Sequence, residues 1–309
     1  MFRMVEAAGT LGRKLACETW GDPNGHPVFL LHGTPGSRLG PRPLPSFLHR
    51  LGIRLIAYDR PGYGESGRCQ GRLVRDAAAD VESIADALGI EGTYSVVGRS
   101  GGGPHALACA ALNPDRVASA AALVTLAPPD AEGLDWFAGM AESNVLAYTR
   151  ASLAVAEDPG LHTELKLKEL TDSLARSADA VRQQPGSLLS NLDPELPAAD
   201  REVVEDAGMR GLLLENYLQG VGDSWEGWLD DVLAFCRPWG LDLATIKDVP
   251  LLLWHGEQDT FCPVGHFRWL AERIPSTTPV LQPSAAHFAA LSALPEVLAW
   301  VRDRALDRG

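Results

Sequence analysis

Cysteine is scarce in this chain of 309 residues, and its spacing follows no pattern. The five cysteines are odd in number, and neither a CxxC nor a Cys/His ligand spacing occurs, so the sequence predicts no disulfide framework and no zinc site. They are Cys17, Cys69, Cys109, Cys236 and Cys262. Reduced thiols are typical of the cytoplasm, where we therefore expect the protein to reside.

Long apolar runs and a surplus of basic residues are also missing. No run reaches the roughly 18 apolar residues of a membrane span, and the start, MFRMVE, lacks the apolar core of a signal peptide. The 27 Lys and Arg residues face 40 Asp and Glu residues, which gives a formal net charge of −13. Because such a charge repels nucleic acids and anionic membrane surfaces, we expect neither as a partner and favour a neutral or apolar small molecule. Nothing in the sequence indicates the oligomeric state.

Apolar residues make up 46% of the chain, enough for a sizeable core. Short apolar segments alternate with segments of helical periodicity towards both ends, which predicts an α/β fold with a mostly parallel sheet covered by helices on both faces. The predicted strands are 14–20, 27–33, 53–59 and 93–98, one within 117–128, one within 249–256, and a short one near 278–281.

Residues 130–247 break this alternation, because they have helical periodicity but no buried strand. We interpret them as a helical insertion over the end of the sheet; an ordinary run of surface helices is the alternative. The predicted organisation is a core domain of residues 1–129 and 248–309 and a helical cap domain of residues 130–247.

The stretch GRSGG, residues 98–102, fits the pattern G-x-S-x-G between a buried strand and a helix. In such a sharp turn the serine backbone is strained, and Gly98 and Gly102 let strand and helix approach each other. The turn presents Ser100 for attack and leaves the N–H of Gly101 free at a helix N-terminus, where it can stabilise an oxyanion. A glycine-rich turn without a catalytic role is the alternative interpretation.

A second glycine-containing loop, HGTPGS, follows the buried strand VFLL. It lies at the same carboxyl edge of the sheet, where open α/β folds bind ligands, so Thr34 is a candidate for the second oxyanion N–H. We interpret His32 as structural, and the turn DRPGYGES after the next strand as architecture near the pocket.

HGTPGS, DRPGYGES and GRSGGG, in this order and at strand ends, resemble the α/β-hydrolase fold superfamily over residues 10–128 and 248–305. The resemblance implies a lid inserted after the sixth strand and a catalytic triad in the order Ser, Asp or Glu, His. It implies Asp259 as the acid, in the loop after the strand that follows the lid, with Glu257 and Asp130 as alternatives.

The resemblance also implies a catalytic histidine in the loop before the last helix, which is where His287 lies. His105, His255 and His266 are the alternatives. The sequence departs from the family at Arg99, where His, Asn or Gln is frequent, and at SAAH, which replaces a glycine-rich approach to the histidine; both departures leave the specificity open. A serine at position 100 argues against epoxide hydrolases and haloalkane dehalogenases, which use an aspartate there.

The lid contains several large apolar residues, of which some are expected to line a substrate pocket and others to pack against the core. They are Trp136, Phe137, Met140, Trp225, Trp228, Phe235 and Trp239. We predict a serine hydrolase that cleaves a medium-sized, largely apolar ester or lactone and requires no metal or organic cofactor. The alternatives are a proline iminopeptidase-like amidase, a C–C bond hydrolase, a cofactor-free haloperoxidase, and, from another class, a biosynthetic cyclase or a non-hydrolytic ligand-binding protein.

Overall fold

A computed structural model describes residues 1–6, 14–156 and 161–307. Eight strands form one sheet in the order β1-β2-β4-β3-β5-β6-β7-β8. They are β1 Phe2–Glu6, β2 Lys14–Gly21, β3 His26–Leu31, β4 Ile53–Tyr58, β5 Tyr94–Arg99, β6 Val117–Leu123, β7 Leu251–Gly256 and β8 Thr277–Gln282. β2 pairs antiparallel with both β1 and β4, and the remaining neighbours pair parallel, so the predicted α/β fold is confirmed.

Alternate side chains of β3 enter two different apolar cores. Phe29 and Leu31 pack on the side of α2 and α3, whereas Val28 and Leu30 pack on the side of α1 and α11. These helices are α1 Pro45–Arg50, α2 Ala77–Ala87, α3 Gly102–Leu112 and, at the end of the chain, α11 Ala289–Leu306; α10 Val264–Arg273 joins the first group. Both faces of the sheet are therefore buried, which explains the continuous apolar runs in its central strands.

In the described part of the chain, six α-helices follow β6 and precede β7. They are α4 Glu142–Ala154, α5 Leu161–Gln183, α6 Ser187–Leu192, α7 Ala198–Glu205, α8 Ala207–Val221 and α9 Glu226–Phe235. This helical insertion occupies the predicted place after the sixth strand. The predicted division into two domains stays a prediction, and residues 7–13, 157–160 and 308–309, which fall within it, lie outside the described residues.

Strand β1 was not predicted from the sequence. It is an edge strand in which Phe2 and Met4 are both 44% exposed while Val5 is buried, so it has too little apolar character to stand out. Among the described helices, none has the length and apolar composition that crossing a membrane requires.

Parallel pairing brings the carboxyl ends of β3, β5, β7 and β8 to one edge of the sheet. The loops that follow these strands contain all five candidate site residues. This edge is where ligands bind in open α/β folds.

Candidate active site

The turn between β5 and α3 places Ser100 in a conformation that is rare for a residue with a side chain. Its φ is +53°, in the left-handed region. The Ser100 N–H donates to the carbonyl of Leu123 at 2.9 Å, and the N–H of Gly103 donates to the Ser100 carbonyl at 2.8 Å. Both hydrogen bonds hold the residue in this strained position.

The flanking glycines are required by close backbone approaches. A Cβ on Gly98 would lie 2.1 Å from the carbonyl oxygen of Gly102, and a Cβ on Gly102 would lie 2.2 Å from that of Leu31. The tight turn predicted from GRSGG is therefore present, with the steric reason expected for its glycines.

The His287 imidazole is bound to the carboxylate of Asp259, with 2.8 Å between Nδ1 and Oδ2. Asp259 lies in the loop after β7, and its other oxygen accepts the N–H groups of Phe261 and Cys262 at 2.8 and 2.9 Å. Both partners are buried. Since Nδ1 is committed to the carboxylate, Nε2 is the ring nitrogen that remains for a partner in the cavity that Ser100 and His287 both line.

The alternative acids lie elsewhere on the surface. Glu257 is exposed and pairs with Arg268 at 3.4 Å, and Asp130 is exposed as well. Of the three carboxylates, only that of Asp259 is hydrogen-bonded to His287, the histidine that lines the cavity.

The alternative histidines bind the main chain and do not line the cavity. His255 pairs with the Cys262 carbonyl at 2.7 Å, His105 with the Gly101 carbonyl at 2.8 Å, and His266 with both the Ala127 N–H and the Trp136 carbonyl. Burial and the nearby Arg60 lower the pKa of His105 to about 3, and burial lowers that of His266 to about 4. Such rings are weak bases at neutral pH. His32, interpreted as structural, likewise pairs with the carbonyl of Gly33 at 2.7 Å.

The candidate oxyanion residues are in contact with each other. A Cβ on Gly101 would lie 2.1 Å from Oγ1 of Thr34, and both residues line the cavity beside Ser100. Within the described residues, neither main-chain N–H has a hydrogen-bond acceptor. Two unpaired N–H groups at the start of a helix and in the adjacent loop are suited to an oxygen that gains negative charge.

A buried carboxylate on α9, which the sequence analysis missed, holds this loop. Oδ2 of Asp231 accepts the Thr34 hydroxyl at 2.6 Å and the Tyr63 hydroxyl at 2.9 Å, and Arg60 and Arg72 each approach the carboxylate to 2.6 Å. Burial acts to raise the pKa of Asp231, but the two guanidinium groups outweigh burial and hold it well below its ordinary value. The insertion thus anchors the candidate oxyanion loop through a charged network.

A second carboxylate of the insertion, also missed, holds the His287 loop. From α7, Asp200 accepts the N–H of His287 at 3.1 Å and that of Phe288 at 2.6 Å. Burial raises the pKa of Asp200 to about 6, although His287 and both N–H groups act in the opposite direction. No local motif marked Asp200, because its partners lie 87 and 88 residues further along the chain.

The cavity has a volume of about 280 Å³. Its wall combines Ser100, His287, Thr34 and Gly101 with apolar side chains of the core and the insertion, among them Leu126, Tyr148, Leu174, Trp228, Val232 and Phe261. Of the large lid residues singled out from the sequence, Trp228 lines the cavity. Others pack elsewhere: the ring of Trp136 contacts Tyr148 and His266, and that of Phe235 contacts His105.

The cavity also has a thiol close to the serine. Cys262 lines the wall, and burial, reinforced by Asp259, raises the pKa of its thiol well above the ordinary value. A protonated thiol is a poor nucleophile, so the position favours Ser100 over Cys262 as the attacking group. In the part of the chain that the structure describes, no three His, Cys, Asp or Glu side chains are grouped as a metal ion would need.

The topology, the strained serine turn and the strand-end loops define an α/β hydrolase. Residues 26–294 match the model of the alpha/beta hydrolase fold, and the chain belongs to this family of enzymes. It is 31% identical over 245 residues to the pimeloyl-[acyl-carrier protein] methyl ester esterase of Chromobacterium violaceum, a match that covers 79% of each chain.

A second curated relative matches a shorter stretch. The non-heme chloroperoxidase of Streptomyces lividans is 35% identical over 119 residues, which are 38% of this chain and 43% of that protein. Among solved structures, a thermophilic esterase from Thermogutta terrifontis has the same fold, with a TM-score of 0.67 at 22% identity over 98% of this chain and 99% of that one. The match to this family identifies the protein as a hydrolase.

Proposed function

We propose that the protein is a serine hydrolase that cleaves a carboxylic ester or lactone of a medium-sized, largely apolar molecule through an acyl-enzyme intermediate. One observation carries this proposal. Ser100, held at positive φ at the start of a helix, shares a cavity with His287, whose ring is bound to the buried carboxylate of Asp259. A strained nucleophile, a base and an acid that orients the base are the parts that acyl transfer needs.

In the proposed reaction, Oγ of Ser100 attacks the ester carbonyl while His287 takes the hydroxyl proton. Asp259 fixes the tautomer of the ring and stabilises its positive charge. The N–H groups of Gly101 and Thr34 bind the oxygen that becomes negative. His287 then gives the proton to the departing alcohol, and a water molecule, deprotonated by His287, attacks the acyl-enzyme to release the acid and restore Ser100. No step requires a metal or an organic cofactor.

We also propose that residues 1–129 and 248–309 form the core domain and residues 130–247 a cap domain over the site. Side chains from both parts line the cavity, including Ser100 and Phe261 from the core and Tyr148 and Trp228 from the insertion. Such a cap shields the acyl-enzyme and shapes the pocket. A largely apolar wall favours a largely apolar substrate.

The composition of the wall argues for an ester and against the amidase alternative. A peptidase that receives the free amino group of its substrate would need a carboxylate in its pocket, because a buried ammonium group requires an opposite charge. Among the described residues that line the cavity, none is Asp or Glu. The relative from Chromobacterium violaceum, an esterase by name, supports the same choice.

A fluorophosphonate probe tests the proposed nucleophile. We expect it to label the wild-type protein at Ser100 and to leave Ser100→Ala unlabelled, while Ser177→Ala, which changes another serine of the same cavity wall, is labelled like wild type. Peptide mapping by mass spectrometry locates the adduct. Equal labelling of wild type and Ser100→Ala, or an adduct on another residue, would overturn the assignment. A panel of esters, aminoacyl anilides and diketones then distinguishes the esterase from the amidase and the C–C bond hydrolase.

A further inference from the structure

Among the residues that the structure describes, Arg99 is the one buried arginine whose side chain has no counterion. Four arginines among the described residues are at least nine-tenths buried: Arg38, Arg60, Arg72 and Arg99. The first three are paired with carboxylates, Arg38 with Asp59 and both Arg60 and Arg72 with Asp231. The side chain of Arg99 makes no hydrogen bond or ion pair with any residue in the described ranges.

An unpaired guanidinium in such a place is costly for the fold. Burial without a partner penalises the charged form strongly, and the pKa of Arg99 is lowered for this reason. Asp200 and Asp259 act on Arg99 electrostatically but form no ion pair with it. Their oxygens instead bind the His287 loop and the N–H groups of Phe261 and Cys262. A group that is neither exposed nor compensated within the protein is suited to compensation by a ligand.

The guanidinium lies beside the reacting atoms. Nη2 of Arg99 and Cβ of Ser100 are 3.1 and 3.5 Å from the point where a Cβ of Gly33 would sit, so both border the residue that precedes Thr34. Arg99 also lines the cavity together with Ser100 and His287. Of the Lys, Arg, Asp and Glu residues that the structure describes, Arg99 alone lines this cavity, so an anion there meets one positive charge and no carboxylate on the wall.

We propose that Arg99 binds a carboxylate on the acyl part of the substrate, so that the preferred esters are half-esters of short dicarboxylic acids. This inference rests on the proposed esterase function and refines its substrate from a neutral apolar ester to a monoanionic one. A guanidinium holds a carboxylate through two parallel N–H donors, which fixes orientation as well as position. Since His287 protonates the departing alcohol, the alcohol lies towards His287. The acyl chain lies towards Gly33 and Thr34, where Arg99 is.

The net charge of −13 does not oppose this assignment. Charges on the surface are screened over about 8–10 Å at physiological ionic strength, whereas a guanidinium in direct contact with a carboxylate inside a cavity is screened far less. The overall charge therefore acts on the rate of encounter, and Arg99 acts on the choice of substrate.

Matched pairs of esters test the proposal. Monoethyl succinate, glutarate and adipate are compared with ethyl butyrate, valerate and hexanoate, in which a methyl group replaces the carboxylate, by titration of the released acid. We expect wild type to prefer at least one half-ester over its neutral partner. In Arg99→Gln, we expect kcat/KM for that half-ester to fall on the order of 10- to 100-fold more than for the neutral ester, the range of a charged hydrogen bond. Arg99→Lys, which keeps the charge without the two parallel donors, should recover part of the preference.

A binding measurement keeps the test independent of turnover. Glutarate should raise the thermal melting temperature of wild type and inhibit it competitively, whereas glutaramide, which has the same chain but no carboxylate, should do neither, and Arg99→Gln should lose both effects of glutarate. Equal kcat/KM for both members of every pair in wild type, or an equal loss for both in Arg99→Gln, would refute recognition by Arg99. Hydrolysis of neutral esters and labelling of Ser100 without any preference would refute this inference alone, whereas an unlabelled Ser100 would refute the proposed function. If Arg99→Gln does not fold, the wild-type preference and the Arg99→Lys variant still decide.

Discussion

Ser100, the proposed nucleophile, has a strained backbone conformation. A left-handed backbone costs a residue with a side chain about 1–2 kcal/mol. The hydrogen bonds to Leu123 and Gly103 and the absence of side chains at Gly98 and Gly102 make this conformation tolerable. The residue projects from the end of a strand, and the following helix directs its positive end at the same point.

The proposed triad predicts a non-additive loss of activity at this scale. We expect Ser100→Ala and His287→Ala each to lower kcat by roughly 10⁴-fold or more, and the double variant to be no worse than either single variant, since the two side chains act as one unit. Steady-state kinetics on an ester that wild type hydrolyses provides the measurement. Multiplicative losses in the double variant would show that the two residues do not cooperate.

Helix α7 contributes to the site without lining the cavity, since Asp200 holds the main chain on either side of the His287–Phe288 peptide. The catalytic candidates lie in the loops that follow the strands. The insertion contributes the carboxylates of Asp200 and Asp231, which bind two of these loops. Positioning of this kind restricts the His287 ring to the side of the cavity where Asp259 binds it. Because the Asp200 carboxylate is buried, its ionisation destabilises the native state, and the size of this effect depends on pH.

This effect predicts a change of stability with pH. The pKa of Asp200 is raised from 3.8 to about 6 in the native state, so this group favours the native state most below about pH 4 and loses that contribution as the pH rises through 6. The free energy of unfolding of wild type relative to Asp200→Asn should therefore fall between pH 4 and pH 7, by up to about 3 kcal/mol. Urea denaturation at several pH values measures it.

The exposed Glu202, on the same helix, provides the control for this experiment. The difference between wild type and Glu202→Gln should stay nearly constant over the same range of pH. A constant difference for Asp200→Asn as well would contradict the raised pKa of Asp200.

Over the whole molecule, the insertion and the sheet are joined by apolar and charged contacts. Tyr148, Leu170 and Phe235 of the insertion belong to the same apolar cluster as the sheet residues Phe29 and Leu31. The charged network of Asp231 joins α9 to the loops after β3 and β4. This network links the stability of the molecule to the position of the proposed oxyanion loop.

Removal of the Asp231 charge should therefore affect the whole fold. Asp231→Asn leaves Arg60 and Arg72 buried without a carboxylate, and we expect a loss of about 3–5 kcal/mol in the free energy of unfolding. The same substitution at the neighbouring Asp230 should cost less, because its partner Arg68 is 27% exposed and keeps Glu226. Urea denaturation at neutral pH compares the two variants. Equal losses in the free energy of unfolding would contradict the prediction that the buried Asp231 network contributes more to stability than the partly exposed Asp230–Arg68 pair.

Local patterns in the sequence were sufficient to predict a mostly parallel sheet, its central strands and the serine turn. Apolar alternation and glycine spacing act over a few residues, so they can be interpreted without knowledge of the fold. The order of the motifs along the chain, compared with the α/β hydrolases, pointed to Asp259 and His287, which the structure joins at 2.8 Å. Their catalytic roles, with those of Ser100, Thr34 and Gly101, stay predictions.

Only the tertiary structure shows which residues that are distant in the sequence contact each other. Arg60 and Asp231 are 171 residues apart, and Asp200 is 87 residues from His287, so no local signal links either pair. The sequence marks Arg99 as an unusual neighbour of Ser100, but only the structure shows that it lacks a counterion while the other buried arginines of the described ranges have one. Backbone preferences are encoded locally, whereas the pairing of buried charges depends on how the insertion packs against the sheet.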